Sequence, residues 1–522
     1  MTSNSQTIIQ DIGQEFEMLL NFVTGEQAHQ ATADQIERGL FKLLLAMGAK
    51  LLRLFFVMRS EACSREPDQT VAGQSLPYER DTKRTYYSIF GKLPLYRPYF
   101  YQKSVGGETP LDAALGLGED SYSDLVREVA DYLEVYNVYH KTGDILSRLL
   151  GLKLSTGAIE SNLADDAADV ESYYAQKAAP QPFEEAQILV IQADGKGVPM
   201  VLEEPSEPQI RLGKGQKRGR KKEAVVTSLY TIASHPRTPQ AVVDSFFRSK
   251  PPAPSPNRCH PHHKHIWATL DGKDTALARL AQQVARREGP HILDRVALCD
   301  GYEPLQTRIT HQFPDFTLIL DFIHADEYLW HVANALLGEQ HPQRLEWMAD
   351  YTLKILSGQT QQLITSFQEM AQDQQYTATQ RAQLEKTATY FQRNLPYMAY
   401  DTYLKRGWPI ASGVIEGACR HFVKDRCELS GMRWTQTGAE NLFRLRAVAE
   451  NGDWDDYHLF RKRQRHARLY HQPYPDLLPL EMQAIDHNSG LQERPVTTAQ
   501  PIIEPAPPPN HHTFYHQLPL AV

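Results

Sequence analysis

The sequence is short of the features that would place it outside the cell or in a membrane. Its five cysteines (Cys63, Cys259, Cys299, Cys419, Cys427) are scattered and odd in number. That argues against a disulfide framework and suits a reducing cytoplasm. No 18-residue apolar stretch is free of charge. The nearest, Leu40 to Met58, carries Lys42, Lys50 and Arg53 and reads as an amphipathic helix rather than a membrane span, so no membrane partner is expected. The N-terminus lacks a basic region leading into an apolar one, so no secretory leader is expected. Net positive charge is also missing: 55 Lys and Arg stand against 63 Asp and Glu, a balance of −8. Taken alone, that balance counts against a nucleic-acid partner, because the phosphate backbone is held by Lys and Arg. The charge is uneven, however: residues 211–222 (RLGKGQKRGRKK) are strongly basic and 160–172 are acidic.

What is present is an ordinary globular composition, 41% hydrophobic and 23% charged over 522 residues, enough for about three domains at roughly 150 residues each. Residues 1–80 read as helical. Residues 81–180 hold a β-hairpin (84–101, around Gly91), a helix over 121–139, and a helix-turn-helix-like segment at 142–170. In that segment Gly151 breaks a first helix and Ser155 or Thr156 caps a second. The segment is either a DNA reader or a plain αα-hairpin, and acidic residues on the second helix leave only its first turn suited to phosphate. Residues 185–450 read as a mixed α/β domain: strands at 187–194, 223–232 and 264–270, a helix at 275–287, strands at 295–300 and 316–321, then a polar helical insertion over 322–406 that projects from the sheet. The tail 470–522 is rich in Pro, His and Gln and is expected to be disordered.

Two of these strands run into Asp-Gly, at Asp194 and Asp300. A carboxylate at the end of a buried strand sits where α/β proteins place ligands, although Asp-Gly is also a common turn. Two such carboxylates would repel unless a divalent cation lay between them, and hard oxygen donors suit Mg or Mn. A two-ion phosphoryl-transfer site needs a third carboxylate. Glu416 supplies it, at the start of a helix on which Arg420 and Lys424 follow at i+4 and i+8, placed for DNA backbone. The bland alternative makes Glu416 a helix-dipole residue paired with Arg420.

Further candidates lie off this triad. Lys214, Lys217, Arg218, Arg220, Lys221 and Lys222 form either a phosphate-binding run or a solvated hairpin tip. Arg433 and Trp434 offer a cation and a base-stacking ring, with burial in the core the competing role for Trp434. Cys259, His260, His262, His263 and His265 lie among prolines without paired ligand spacing.

Four segments carry a family resemblance: ADGKGVPM (193–200), ALCDGYEPL (297–305), LDFIHADEYLW (320–330) and GVIEGACRHFVKDRCELSGMRWTQTGAENLFRLRA (413–447). Across roughly residues 80–460 the chain resembles transposases of bacterial insertion sequences, the Kra-type group, related to Mutator-like transposases. The resemblance implies an RNase H-like catalytic core with a helical insertion before the Glu. It implies catalytic, metal-holding Asp194, Asp300 and Glu416, and cleavage of DNA at element ends followed by joining to target DNA. Two Mg or Mn ions and a homo-oligomer on DNA in a bacterial cytoplasm go with it. Asp321 and His324 match a motif of the Mutator-like relatives, so Asp321 competes with Asp300. Asp300 is preferred because Asp321 reads as the cap of the helix beginning at 322. The zinc-binding Cys pair that the resemblance places near the hairpin is missing from 84–112, so no zinc is expected. The alternatives are a non-catalytic DNA-binding relic and a simple nuclease of the same fold.

Overall fold

A computed structural model of the chain describes residues 3–66, 75–201, 221–247, 259–429 and 431–475. Strands β1 (Tyr78–Ser88), β2 (Gly91–Gln102) and β3 (Gly106–Glu108) make an antiparallel sheet, with Gly91 at the hairpin turn in a positive-φ conformation (115°) that favours glycine. Helix Ala33–Ala62 lies on it, and Phe56 packs among Leu93, Leu95 and Leu111. The helix-turn-helix-like segment forms with the anticipated caps. Helix Tyr139–Leu150 ends at left-handed Gly151, and the Ser155 hydroxyl accepts from Ala158 N–H at the start of helix Thr156–Ala167. One expectation about that second helix changes. Asp166 is not a surface charge facing phosphate; it is fully buried, takes two hydrogen bonds from Arg127 (2.6 and 2.9 Å) and pairs with Arg461.

The central sheet contains β4 (Ile188–Pro199), β5 (Lys221–Ile232), β6 (His262–Thr269), β7 (Asp294–Cys299) and β8 (Thr317–Leu320), in the order β6-β5-β4-β7-β8. The β4-β5 and β5-β6 pairs are antiparallel, whereas β7 and β8 run parallel to β4. Alternation along β4 assigns its two faces. Leu189, Ile191 and Ala193 meet helices Lys273–Arg287 and Glu303–Gln312 through Leu277, Leu280, Leu305 and Ile309. Ile188 and Val190 point the other way, into the core built with the residues after β8.

That second core corrects the picture of a projecting insertion. Met348, Ile355, Phe367, Leu384 and Phe391, from successive helices of 322–406, are buried in one cluster with Ile188, Val296, Leu298 and Ile319. The insertion therefore roofs one face of the sheet, because its helices carry an apolar stripe that a polar overall composition conceals. The chain returns through Gly407, whose φ of 73° closes helix Tyr400–Arg406. It then passes the end of β8, where Phe322 N–H donates to Ile410 C=O (2.9 Å). Among the described residues no helix is long and apolar enough to cross a membrane. Most of the anticipated Pro-rich tail, from 476 on, and the cations Lys214, Lys217, Arg218 and Arg220 lie outside the described residues.

Candidate active site

Parallel strands aligned side by side present their carboxyl ends together. β7 stops at Cys299 and β8 at Leu320, so Asp300 and Asp321 emerge next to one another. Asp194 reaches the same place differently. β4 does not end there, as its Asp-Gly suggests, but continues to Pro199 paired with β5. Asp194 lies two residues past Gln192, where the pairing with β7 ends. Helix Gly413–Ala418 then brings Glu416 over this end of the sheet.

The four carboxylates and one imidazole form a single electrostatic group. Burial raises Asp300 above the ordinary carboxylate range, and the Asp194 charge adds to the rise. Burial pushes Asp321 up to about 7, with Glu416 adding to it and His324 opposing it. Burial alone would lower His324, but Asp321, Glu327, Asp300 and Glu416 outweigh it and hold the imidazole above its usual value. The buried Cys419 thiol is raised by burial first and then by Asp194, to which it is hydrogen-bonded. Buried carboxylates that also repel one another are the condition a cation relieves.

Ligand atoms of Asp321, His324 and Glu416 lie within 4.8 Å of one another, the one such group among the described residues. The tightest set is thus not Asp194, Asp300 and Glu416, which sequence spacing singles out. Asp321 is indeed the cap of helix Phe322–Leu337, accepting from Ile323 N–H (2.7 Å), but it also accepts from Ser412 N–H (3.1 Å) on the returning chain. That second bond draws Glu416 toward Asp321. Asp300 takes the turn role, accepting from Tyr302 N–H (3.1 Å). Every oxygen named here keeps a second lone pair, so capping and metal ligation are compatible. Carboxylate oxygens fit Mg or Mn, whereas an imidazole ligand suits Zn, Fe or Ni.

Gln192 went unrecognised in the sequence. It is a polar residue inside ILVIQAD, 1% exposed, and both its amide oxygen and its amide nitrogen are hydrogen-bonded. It donates to the Tyr230 hydroxyl (3.1 Å) and accepts from the Ser228 hydroxyl (3.1 Å) and from Ile415 N–H (3.0 Å). The last bond ties the Glu416 helix to β4. The signal was the polar residue itself, since a buried strand tolerates one only when its hydrogen bonds are met. Tyr390 was also missed. Its ring lies so close over Gly301 that a Cβ there would come within 2.2 Å of its hydroxyl, which gives the Gly of Asp300-Gly301 a steric reason. Tyr390 stacks on Tyr328 at 3.7 Å, so the insertion supplies one wall of the site.

The cationic candidates divide. Arg420 and Lys424 are exposed, but Cys419–Lys424 forms a π-turn. Its i→i+5 bonding slips the helical phase, so the i+4 and i+8 alignment with Glu416 is not kept. Lys221 pairs with Glu428, and Lys222 donates to Gln436 (2.7 Å). Arg433 is exposed, whereas Trp434 is 6% exposed and donates its indole N–H to Cys427 C=O (3.2 Å). The indole is core, and the stacking role anticipated for Trp434 gives way to packing. In the histidine-rich stretch, His265 packs against Tyr174, and Asn451 is hydrogen-bonded to it (3.0 Å).

The chain matches no family model and no curated protein. Among solved structures it is similar to the Drosophila P element transposase strand transfer complex, at 10% identity over 68% of this chain and 83% of that one, with a TM-score of 0.23.

Proposed function

We propose that the chain is a metal-dependent DNA transposase with an RNase H-like core, cutting element ends and joining them to target DNA. The observation that carries this reading is the convergence of Asp194, Asp300, Asp321, His324 and Glu416 at one end of the sheet. The order β6-β5-β4-β7-β8, with three antiparallel strands followed by two parallel to β4, supports the RNase H-like assignment. Asp194, Asp300 and Glu416 are the proposed catalytic ligands, with Asp321 and His324 completing the set. When bound, Mg or Mn ions supply an activated nucleophile and neutralise charge on the phosphate. The protein's own part is positioning. Asp321, just past β8, and Gln192 on β4 fix the Glu416 helix, Tyr390 walls the cleft, and Arg420 and Lys424 offer cations to the DNA backbone.

The test uses DNA taken from both flanks of the coding region, where a transposase reading requires inverted repeats. Asp194→Asn, Asp300→Asn and Glu416→Gln are expected to abolish Mn-dependent cleavage and strand transfer while DNA binding persists in a gel-shift assay. Full strand transfer in Asp300→Asn, with loss in Asp321→Asn, would transfer the second catalytic role to Asp321. Retained cleavage in all four variants would overturn the site.

A further inference from the structure

The groups at the end of the sheet are not one uniform set. Asp194 and Asp300 bring only oxygen. Asp321 and Glu416 stand with an imidazole, and ligand atoms of Asp321, His324 and Glu416 lie within 4.8 Å of one another. The local sequence places two of the three. Asp321 caps helix Phe322–Leu337 and His324 follows three positions on, so both leave its first turn on one side. Glu416 comes from the returning chain, one turn after Ser412, whose N–H is held by Asp321.

Charge and orientation mark this trio. Asp321 is 0% exposed, yet its carboxylate has two N–H donors and no Lys or Arg partner among the described residues. Glu416 has no such partner among them either. Elsewhere arginines meet buried carboxylates, as Arg127 and Arg461 meet Asp166 and as Arg84 and Arg97 meet Asp112. A buried carboxylate is costly unless a cation balances it. One divalent ion and two carboxylates sum to zero, and a neutral imidazole adds a ligand without adding charge. Each ligand is also oriented from behind, as metal ligands are. Ile323 N–H (2.7 Å) and Ser412 N–H (3.1 Å) fix Asp321, and the Ser412 hydroxyl donates to Glu416 (3.4 Å). His324 Nδ1 faces the Glu327 carboxylate at 3.4 Å, which leaves Nε2 for an ion. A carboxylate behind a histidine sets the ring's tautomer and strengthens it as a ligand.

We propose that Asp321, His324 and Glu416 hold a divalent transition-metal ion of the zinc class, distinct from the Mg or Mn that all-oxygen ligands suit. Two carboxylates and one imidazole give three protein ligands and leave the fourth position of a tetrahedral ion open. At about 2.0–2.2 Å from such an ion, ligand atoms stand roughly 3.3–3.6 Å apart. A pair as wide as 4.8 Å therefore closes by about 1.5 Å at most. His324 and Glu416 are only half-buried, so rotation of their side chains supplies that movement. An imidazole nitrogen suits Zn and not Mg, so the trio discriminates between the ions. Glu416 has two oxygens and serves both positions. The ion ties the start of the helix after β8 to the helix that carries Glu416, and so sets Glu416 before DNA arrives. The inference rests on the reading above for the cleft it shares. Binding of this ion needs neither Asp194 nor Asp300, so the two can fail separately.

The test is equilibrium dialysis of the full-length chain, first stripped with EDTA, against micromolar Zn in millimolar Mg. The histidines at 260–265 and 511–516 can take Zn of their own, so the readout is the difference between variants. Wild type is expected to hold one Zn per chain more than His324→Ala, with an unchanged circular dichroism spectrum. Glu327→Gln keeps all three ligands and should bind that ion about 10–100-fold more weakly; at an exposed residue, it also serves should His324→Ala misfold. Asp194→Asn with Asp300→Asn should hold the ion as wild type does. Equal Zn in wild type, His324→Ala and Glu327→Gln would overturn the proposal. So would loss of the ion to Mg, or its loss in the Asp194 and Asp300 double variant. A chain that holds the extra Zn but cleaves no DNA would overturn the transposase reading and leave this site standing. A chain that cleaves with Mg and holds no extra Zn would do the reverse.

Discussion

Gln192→Leu isolates how the fold delivers Glu416. Leucine fills nearly the same volume in β4, so the change removes hydrogen bonds without opening a cavity. Three partners lose a bond: the hydroxyls of Ser228 and Tyr230, both buried, and Ile415 N–H. A buried group left unpaired costs about 1–3 kcal/mol. Ile415 N–H keeps a second acceptor, Ser412 C=O at 2.9 Å, so its loss is partial, and the two hydroxyls set a total of about 2–6 kcal/mol. At about 2–4 °C per kcal/mol for a domain of this size, the midpoint of thermal unfolding should fall by at least about 4 °C. The Glu416 helix also loses its tether to β4 while keeping the Ser412–Asp321 bond. Metal-dependent cleavage, assayed well below the melting temperature, should therefore drop more than DNA binding does. Gln192→Glu retains an acceptor for Ile415 N–H and should recover part of the activity. A Gln192→Leu protein that melts and cleaves like wild type would refute the claim that this side chain positions Glu416.

Glu134 is fully buried, and burial, with the Asp166 charge, pushes its carboxyl up to about 9. Because the folded value is raised, its contribution to stability is complete below the unfolded value near 4.5 and is lost as pH rises through about 9. Glu134→Gln should flatten the decline in melting temperature between pH 5 and 8, and an unchanged slope would contradict this. Trp434→Ala should destabilise the chain by about 3–5 kcal/mol in denaturant unfolding; a loss of DNA binding at undiminished stability would return the ring to a stacking role. Replacing Lys217, Arg218, Arg220 and Lys221 by Ala should flatten the salt dependence of DNA binding by about one unit of log–log slope per lost contact. A constant slope would leave only a solvated hairpin tip.

Much of the local architecture was legible along the chain because its causes are short-range. A run such as RVALC extends because its side chains suit a buried strand, and the Gly151 and Ser155 boundaries follow from a positive φ and from a hydroxyl over an open N–H. Asp300 and Asp321 could be placed at strand ends, and Asp321 recognised as a cap, without reference to anything distant. Residue identity did not settle what meets what. Proximity of Asp321 to Glu416 depends on β8 lying beside β7 and on Ser412 N–H bonding across 91 positions to Asp321. No periodicity along the sequence records such a bond. The same holds for the π-turn that rotates Arg420 and Lys424, for the helices of 322–406 that roof the sheet instead of projecting, and for Trp434, whose burial is set by Cys427 and Met200 on other segments. Local propensity determined where most helices and strands lie, but the end of β4 was set by its pairing with β5 beyond Asp194. Long-range packing alone decided which carboxylates share a cleft, since electrostatic coupling falls off over a few ångströms of space whatever the separation in sequence.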